Sequence, residues 1–386
     1  MIDGGITTFC MPTRIVHGVG SIAKIPDECR RLGITKPILV TDQGLAKAGL
    51  VRTASDILNA ARIPHAVFDR VEEDPCMNTV HEGEKVRRAA GCDGVVALGG
   101  GSPICAGKAI ALLATNGGRI SDYEDAGNIV KAPLPVIAVP TTAGSGSEVS
   151  STFLIANESS GLKMAICSEL CCPSVAILDP DLLRSLPARQ AIWSGLDALT
   201  HAVEPLWTRL GTPLTDAIAL RSIHMMFRSL VPAAFSDDIT AKSEQLLAAT
   251  MANIACGNAK LGLVHAFAFP LGNLHVPHGL GCGLMLPFVM EFNLSSCKPK
   301  LAQMAIAIGE RADQGEDALA RAALERVKRL YVQAGFPSRV TEKEVPRSRL
   351  DQVIREAAST SQMRFNVRPA GEKDLADIME RAYAGF

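Results

Sequence analysis

The sequence predicts an α/β domain over residues 1–186 followed by an all-α domain over residues 187–386. Three observations carry this expectation. The chain has 386 residues, more than one hydrophobic core usually organises, so two cores are expected. From residue 37 to about 180, short apolar runs alternate with amphipathic stretches, the pattern of a parallel sheet covered by helices. After Pro187 the composition changes to long Ala/Leu-rich segments with helical periodicity.

In chain order, strands are expected at PILVT (37–41), HAVFD (65–69), GVVALGGG (94–101), PVIAVPTT (135–142) and VAILDP (175–180). Helices are expected at ARQAIWSGLDALTHAVEPLW (188–207), TDAIALRSIHMMFRSLV (215–231), AKSEQLLAATMANIACGNA (241–259) and EDALARAALERVKRLYVQAG (316–335). The boundary between the two patterns falls at Ser185 to Arg189, and ligand clefts commonly occupy such junctions.

Composition narrows the function. Lys and Arg number 39 against 40 Asp and Glu, and no basic block stands out to track a phosphate backbone, so nucleic acid is not an expected partner. The start MIDGGITTFC carries an acid where a signal peptide needs positive charge, and no later run reaches the roughly 18 apolar residues of a membrane span. A soluble, cytoplasmic protein without membrane partners is expected. The 11 cysteines are odd in number, scattered and without a CxxC pair, which favours reduced thiols over disulfides. Cys167, Cys171 and Cys172 read as small buried hydrophobes, because their spacing is not that of a structural zinc site.

Two glycine-rich turns suit a dinucleotide. Val95–Leu98 runs into Gly99, Gly100, Gly101, Ser102 and Pro103 and then a helical pattern, so free amides and a helix dipole would meet a phosphate. A second turn follows PVIAVP with Thr141, Thr142, Ala143, Gly144, Ser145, Gly146 and Ser147, adding hydroxyls. Neither turn is a GxGxxG or Walker pattern, which disfavours an ordinary Rossmann fingerprint or an NTPase. Asp42 ends the Ile38–Thr41 run, where a carboxylate can accept from an adenosine ribose and repel a 2′-phosphate, favouring NAD over NADP.

The second half supplies a metal set. Asp197 and His201 lie four apart on a helical pattern and so share one face. His265 sits in an apolar stretch that Pro270 is expected to end or bend, and Pro277 places His278 at the first turn of the next helix. One carboxylate and three imidazoles form a ligand set for a divalent transition metal, with a position left for a substrate oxygen. Each pair alone is more often an ordinary hydrogen-bonded pair. Together, set in sequence otherwise made of Ala, Leu, Val and Gly, they need something to satisfy them.

With these motifs in place, the chain resembles the iron-containing, group III alcohol dehydrogenases, relatives of glycerol dehydrogenase and dehydroquinate synthase. The likeness runs nearly end to end: FCMPTRIVHGVGSIAKIP, GGGSPICAGKAIA, PTTAGSGSEVSSTFLI, GLDALTHAVE, VHAFAFPLG with VPHG, and NVRPAGEKDLADIMERAYAG. The resemblance implies a dehydroquinate synthase-like fold with an N-terminal dinucleotide-binding domain and a helical C-terminal domain. It also implies a homodimer or larger assembly and NAD(P)-linked interconversion of alcohol and aldehyde or ketone. By similarity, Asp42, Asp74, Gly100, Gly101, Ser102, Thr141, Thr142 and Lys163 fall at cofactor positions, and Asp197, His201, His265 and His278 at metal positions. Fe²⁺ is the implied ion, while three nitrogens and a carboxylate also suit Zn²⁺.

Two departures from the family pattern follow. Cys105 stands where members usually carry Asp, which removes a negative charge beside the nicotinamide. Phe269 stands where a second histidine usually follows the first metal-binding imidazole by four residues, so the usual proton relay cannot run there. Protons would then travel through the nicotinamide ribose, water, or His275, three residues before His278, a candidate catalytic group because imidazoles titrate near neutrality, although a loop histidine is more often a plain surface residue. Phe153, Trp193, Phe267 and Phe269 are candidate walls of an apolar substrate pocket, although aromatics in such segments more often pack in the core, and Arg364 is a candidate anion contact where a solvated arginine is the commoner case. Two other classes compete. A lyase of the dehydroquinate synthase type needs several Lys/Arg residues beside the metal segments, and none are clustered there. A degenerate binding protein would be expected to have loosened the four-ligand set, which is intact.

Overall fold

The computed structural model describes residues 6–124, 128–158 and 162–386. The opening MIDGG, on which part of the leader reading falls, lies outside the described residues. The chain divides into two compact units, Met11–Leu186 and Pro187–Phe386, the latter joined by the N-terminal residues to Cys10. That grouping has a local cause. The Asn258 side chain accepts from the Cys10 amide at 2.7 Å and donates to the Cys10 carbonyl at 3.0 Å, binding the N-terminal segment to a helix of the second unit.

Among the described residues the first unit has eight strands: β1 Arg14–His17, β2 Pro37–Val40, β3 Ala66–Phe68, β4 Gly94–Gly99, β5 Val136–Pro140, β6 Thr152–Asn157, β7 Leu162–Cys167 and β8 Val175–Leu178. Its helices are α1 Ile25–Leu32, α2 Gln43–Lys47, α3 Leu50–Ala60, α4 Met77–Ala90 and α5 Gly101–Asn116. Six strands form one parallel sheet in the order β1-β8-β5-β4-β2-β3. Alternate residues feed two cores. Ile38, Val40, Val95, Ala97, Val136 and Ala138 point into one, while Leu39, Val96, Leu98, Ile137, Val139, Val175 and Ile177 point into the other. Burial on both faces explains why these strands read as unbroken apolar runs rather than alternating ones.

All five expected strands are present. Two further features were not anticipated: the short edge strand β1, which pairs with β8, and the antiparallel β6–β7 pair. Phe153 on β6 is 1% exposed and belongs to the first core cluster. This is the core packing that the sequence favours for it over a pocket wall, since a phenyl ring on the inward side of a strand gains more from burial than from a cleft.

The second unit is helical: α6 Ala188–Val203, α7 Pro213–Phe235, α8 Ile239–Ala259, α9 Leu263–Asn273, α10 His278–Asn293, α11 Lys298–Ala307, α12 Glu316–Gln333, α13 Leu350–Ser359 and α14 Glu372–Ala384. Helices α6, α7 and α8 pack on one another, and α10 packs on both α6 and α9. The alanines at 248, 249, 252 and 255 on α8 are buried and let the backbones approach closely. Ser222 donates to the Ala248 carbonyl at 2.7 Å and Ser229 to Gln245 at 2.8 Å, fixing the α7–α8 register with buried hydrogen bonds. Helix α9 continues three residues beyond Pro270 instead of ending there. Phe267 on α9 is fully buried and so is core rather than pocket wall. Among the described residues no single helix is long and apolar enough to cross a membrane.

Candidate metal and nucleotide sites

Asp42, Gly100 and Thr141 follow the carboxyl ends of the adjacent parallel strands β2, β4 and β5. The chain leaves β2 toward β3 on one side and returns through β4 to β5 on the other, so the sheet order reverses between β2 and β4. Open α/β sheets bind ligands at that reversal. The turn after β4 is shaped for close approach. Gly99 has φ 152°, and a Cβ built there would lie 2.5 Å from Pro103 Cγ. On Gly100 a Cβ would meet Thr142 Cγ2 at 3.4 Å, and on Gly101 it would meet Ser145 Oγ at 3.2 Å, so the two expected loops face each other across a gap that side chains would fill. Gly100 caps the 16-residue α5 without a side-chain hydrogen bond, which leaves its first amides for an anion. This cradle fits a dinucleotide phosphate.

The remaining nucleotide candidates are joined to this turn. Ser102 Oγ accepts from the Asp74 amide at 3.3 Å, and Lys163 Nζ on β7 pairs with Asp74 Oδ1 at 2.7 Å. Asp74 adopts φ 55°, a left-handed conformation that turns the chain toward Ser102. Asp42 has a second occupation: its Oδ1 accepts from the Leu45 amide at 2.9 Å and caps α2. Cys105 is half-buried on α5 and packs against the first core cluster.

In the helical unit the four expected ligands converge. Asp197 Oδ1 lies 3.8 Å from His201 Nε2, 3.8 Å from His265 Nε2 and 3.5 Å from His278 Nε2. His201 Nε2 and His265 Nε2 are 3.2 Å apart. Four bonds of about 2.0–2.2 Å at tetrahedral angles place ligand atoms about 3.3–3.6 Å apart, and these separations of 3.2–3.8 Å lie within about 0.2 Å of that range. Asp197 Oδ1 is buried without a hydrogen-bond partner. An orphaned carboxylate oxygen aimed at three imidazole nitrogens is what a cation would satisfy.

Electrostatics agree with that donor set. Burial lowers His201 to a pKa of about 4, which keeps its ring neutral and able to ligate. Burial pulls the Asp197 pKa upward, but the surrounding imidazoles outweigh it and hold the carboxyl below its usual range. Asp197, His201 and His265 are buried, whereas 42% of the His278 side chain is exposed, so approach to the cluster is on the His278 side.

Two residues of this site were missed by sequence reasoning. Glu204, fully buried in the turn after α6, accepts from His265 Nδ1 at 2.7 Å and from the Val264 amide at 2.8 Å. Gly262 at the α9 N-cap has no side chain, so Glu204 supplies the acceptor and places a negative charge at the positive end of that helix. Burial works to lower the His265 pKa, but the Glu204 hydrogen bond and charge raise it on balance and direct the Nδ1 proton to Glu204. That leaves Nε2 as the free lone pair. The other missed residue is Cys282, one turn after His278. Its sulfur and the ligand atoms of Asp197, His265 and His278 all lie within 4.8 Å of one another. His201 is not part of that tighter group, yet its short distances to Asp197 and His265 place it against the same oxygen and nitrogen.

Helix α10 reaches this position because Gly279 allows it. A Cβ there would sit 2.4 Å from the Trp193 carbonyl oxygen on α6, so only glycine lets the two helices approach where His278 faces Asp197. Gly279→Ala is expected to cost about 1–3 kcal/mol of stability and to lower metal affinity, measured by denaturant unfolding and metal titration. An unchanged unfolding midpoint would show that this approach is not tight. His275 is exposed, holds φ 63° and donates its amide to the Gly272 carbonyl at 3.0 Å. Phe269 is half-buried on α9. Trp193 is half-buried beneath the Arg189 guanidinium at 5.2 Å, and Arg364 is exposed and stacked over Phe365 at 4.7 Å.

Known proteins share this chain's sequence pattern and fold. The sequence profile described as iron-containing alcohol dehydrogenase matches residues 12–180, and that of the Fe-containing alcohol dehydrogenase family C-terminal domain matches residues 191–383. The chain is 33% identical over 380 residues to an NAD-dependent methanol dehydrogenase of Bacillus methanolicus, covering 98% of this chain and 100% of that protein. It is 35% identical over 381 residues to a 1,3-propanediol dehydrogenase of Citrobacter freundii, covering 97% and 98% respectively. The crystal structure of a 1,3-propanediol oxidoreductase superposes with a TM-score of 0.95 at 33% identity, covering 98% of this chain and 100% of that one. The chain therefore belongs to the iron-containing alcohol dehydrogenase family, metal-dependent oxidoreductases that interconvert alcohols and carbonyl compounds with NAD(H).

Proposed function

We propose that this chain acts on primary or small secondary alcohols and the matching aldehydes or ketones, prefers NAD over NADP, and holds one divalent ion through Asp197, His201, His265 and His278. The observation that carries this reading is the orphaned Asp197 oxygen within 3.8 Å of three imidazole nitrogens. When bound, the ion supplies Lewis acidity at the substrate oxygen and the nicotinamide supplies or accepts the hydride. Fe²⁺ is the ion of the family name, and the same donors accept Zn²⁺.

The protein's own groups do the rest. Glu204 holds the His265 ring in the tautomer that presents Nε2 to the site. Phe269, four residues along α9, offers no proton, and His275 at the exposed turn before His278 passes protons to solvent in its place. Gly100, Gly101, Ser102, Thr141 and Thr142 bind the phosphates, with Asp74 and Lys163 bracing Ser102. Asp42 repels a 2′-phosphate. A cytoplasmic location, supported by cysteines that are all free thiols, and a homo-oligomeric assembly belong to the same reading.

Asp42→Asn separates the cofactor reading from the cap, because Asn still accepts from the Leu45 amide while losing the charge. In the metal-loaded enzyme, assayed with a panel of alcohols and aldehydes, kcat/KM is expected to favour NAD over NADP by about tenfold or more, and Asp42→Asn to narrow that ratio. A ratio untouched by the substitution removes Asp42 from cofactor selection.

A further inference from the structure

We infer that Cys282 is an additional donor of this metal centre, binding as a thiolate beside Asp197 and the imidazoles and biasing the site toward zinc or cobalt. The inference rests on the metal-centre reading given above and extends it to a sulfur ligand. Its sulfur lies 3.6 Å from His278 Nε2 and 3.8 Å from His265 Nε2. A metal–sulfur bond of about 2.3 Å and a metal–nitrogen bond of about 2.0–2.1 Å, opened to the roughly 90–120° angles of a five-donor centre, separate sulfur from nitrogen by about 3.1–3.8 Å. The observed spacing is therefore that of two ligands on one ion.

Two further features favour ligation over simple packing. Cys282 is fully buried on α10 four residues after His278, so both side chains leave the same helix face. A buried thiol ordinarily packs as a small hydrophobe, yet this one faces two imidazole nitrogens and the carboxylate whose Oδ1 has no hydrogen-bond partner. On binding, the S–H bond breaks, a metal–sulfur bond forms, and the proton leaves to solvent. A second anionic donor beside Asp197 then offsets both charges of a divalent ion. Thiolate is also softer than carboxylate or imidazole, which shifts preference toward zinc-class ions.

The test uses the full chain, stripped of metal and refilled anaerobically with Co²⁺ or Zn²⁺, as wild type and as Cys282→Ser. Wild type is expected to take up about one ion per chain, to show a sulfur-to-cobalt charge-transfer band, and to give a zinc–sulfur distance of about 2.3 Å by X-ray absorption. Cys282→Ser is expected to keep an ion on its oxygen and nitrogen donors, lose the band and the sulfur shell, and bind Zn²⁺ about tenfold or more weakly. A fully loaded wild type with only oxygen and nitrogen neighbours overturns the sulfur ligand and leaves the metal centre standing. A wild type that takes up neither ion overturns both. Should Cys282→Ser fail to fold, the wild-type spectra decide alone.

Discussion

A His265→Ala protein loses its metal and its NAD-linked turnover together. The substitution removes the imidazole whose Nε2 lies 3.2 Å from His201 Nε2 and 3.8 Å from Asp197 Oδ1, at the buried side of the cluster. Turnover is expected to fall by about a thousandfold or more, since Lewis-acid stabilisation is worth several kcal/mol and each tenfold is about 1.4 kcal/mol. The change also takes one of two hydrogen-bond partners from the fully buried Glu204, at a cost of about 1–3 kcal/mol in stability. A thermal melt beside metal analysis separates that loss from unfolding. Turnover that persists in a folded, metal-free His265→Ala protein would contradict the Lewis-acid role.

Glu204→Gln is the second large effect, and it acts without touching a ligand atom. Gln keeps the shape and one acceptor for the Val264 amide, but it removes the charge that orients His265 Nδ1–H. Loss of such an orienting partner typically weakens metal affinity about 10–100-fold. Metal titration of the folded variant is expected to show a drop of that size, with the pH dependence of binding also changed. Equal affinity in wild type and Glu204→Gln would mean that the His265 tautomer is set by something else.

Much of this architecture was legible in the sequence, and the reasons are specific. Strands buried on both faces, such as Val95–Leu98, announce themselves as continuous apolar runs, and the switch after Pro187 to Ala/Leu periodicity marks the helical unit. Asp197 and His201 share a helix face by spacing alone. The same four-residue rule applied to His278 reaches Cys282, although a cysteine in an apolar run by itself reads as core. Glu204 was harder to see. It lies beyond the end of α6, and its partners His265 and Val264 are about 60 residues away in sequence, a distance that no local pattern spans. The β6–β7 pair escaped because Thr152–Asn157 sits directly after a loop already assigned to the nucleotide. Phe153 and Phe267 suit both cleft and core by sequence, with core the commoner outcome for such aromatics, and their packing puts both in the core.

The shared cation at Asp197, His201, His265 and His278 is tested most directly by anomalous diffraction from crystals of the anaerobically metal-loaded protein. The account predicts one anomalous peak about 2.0–2.2 Å from Asp197 Oδ1 and from each of the three Nε2 atoms. A peak elsewhere in the fold, or none at these four atoms in protein shown to be loaded and active, would contradict it.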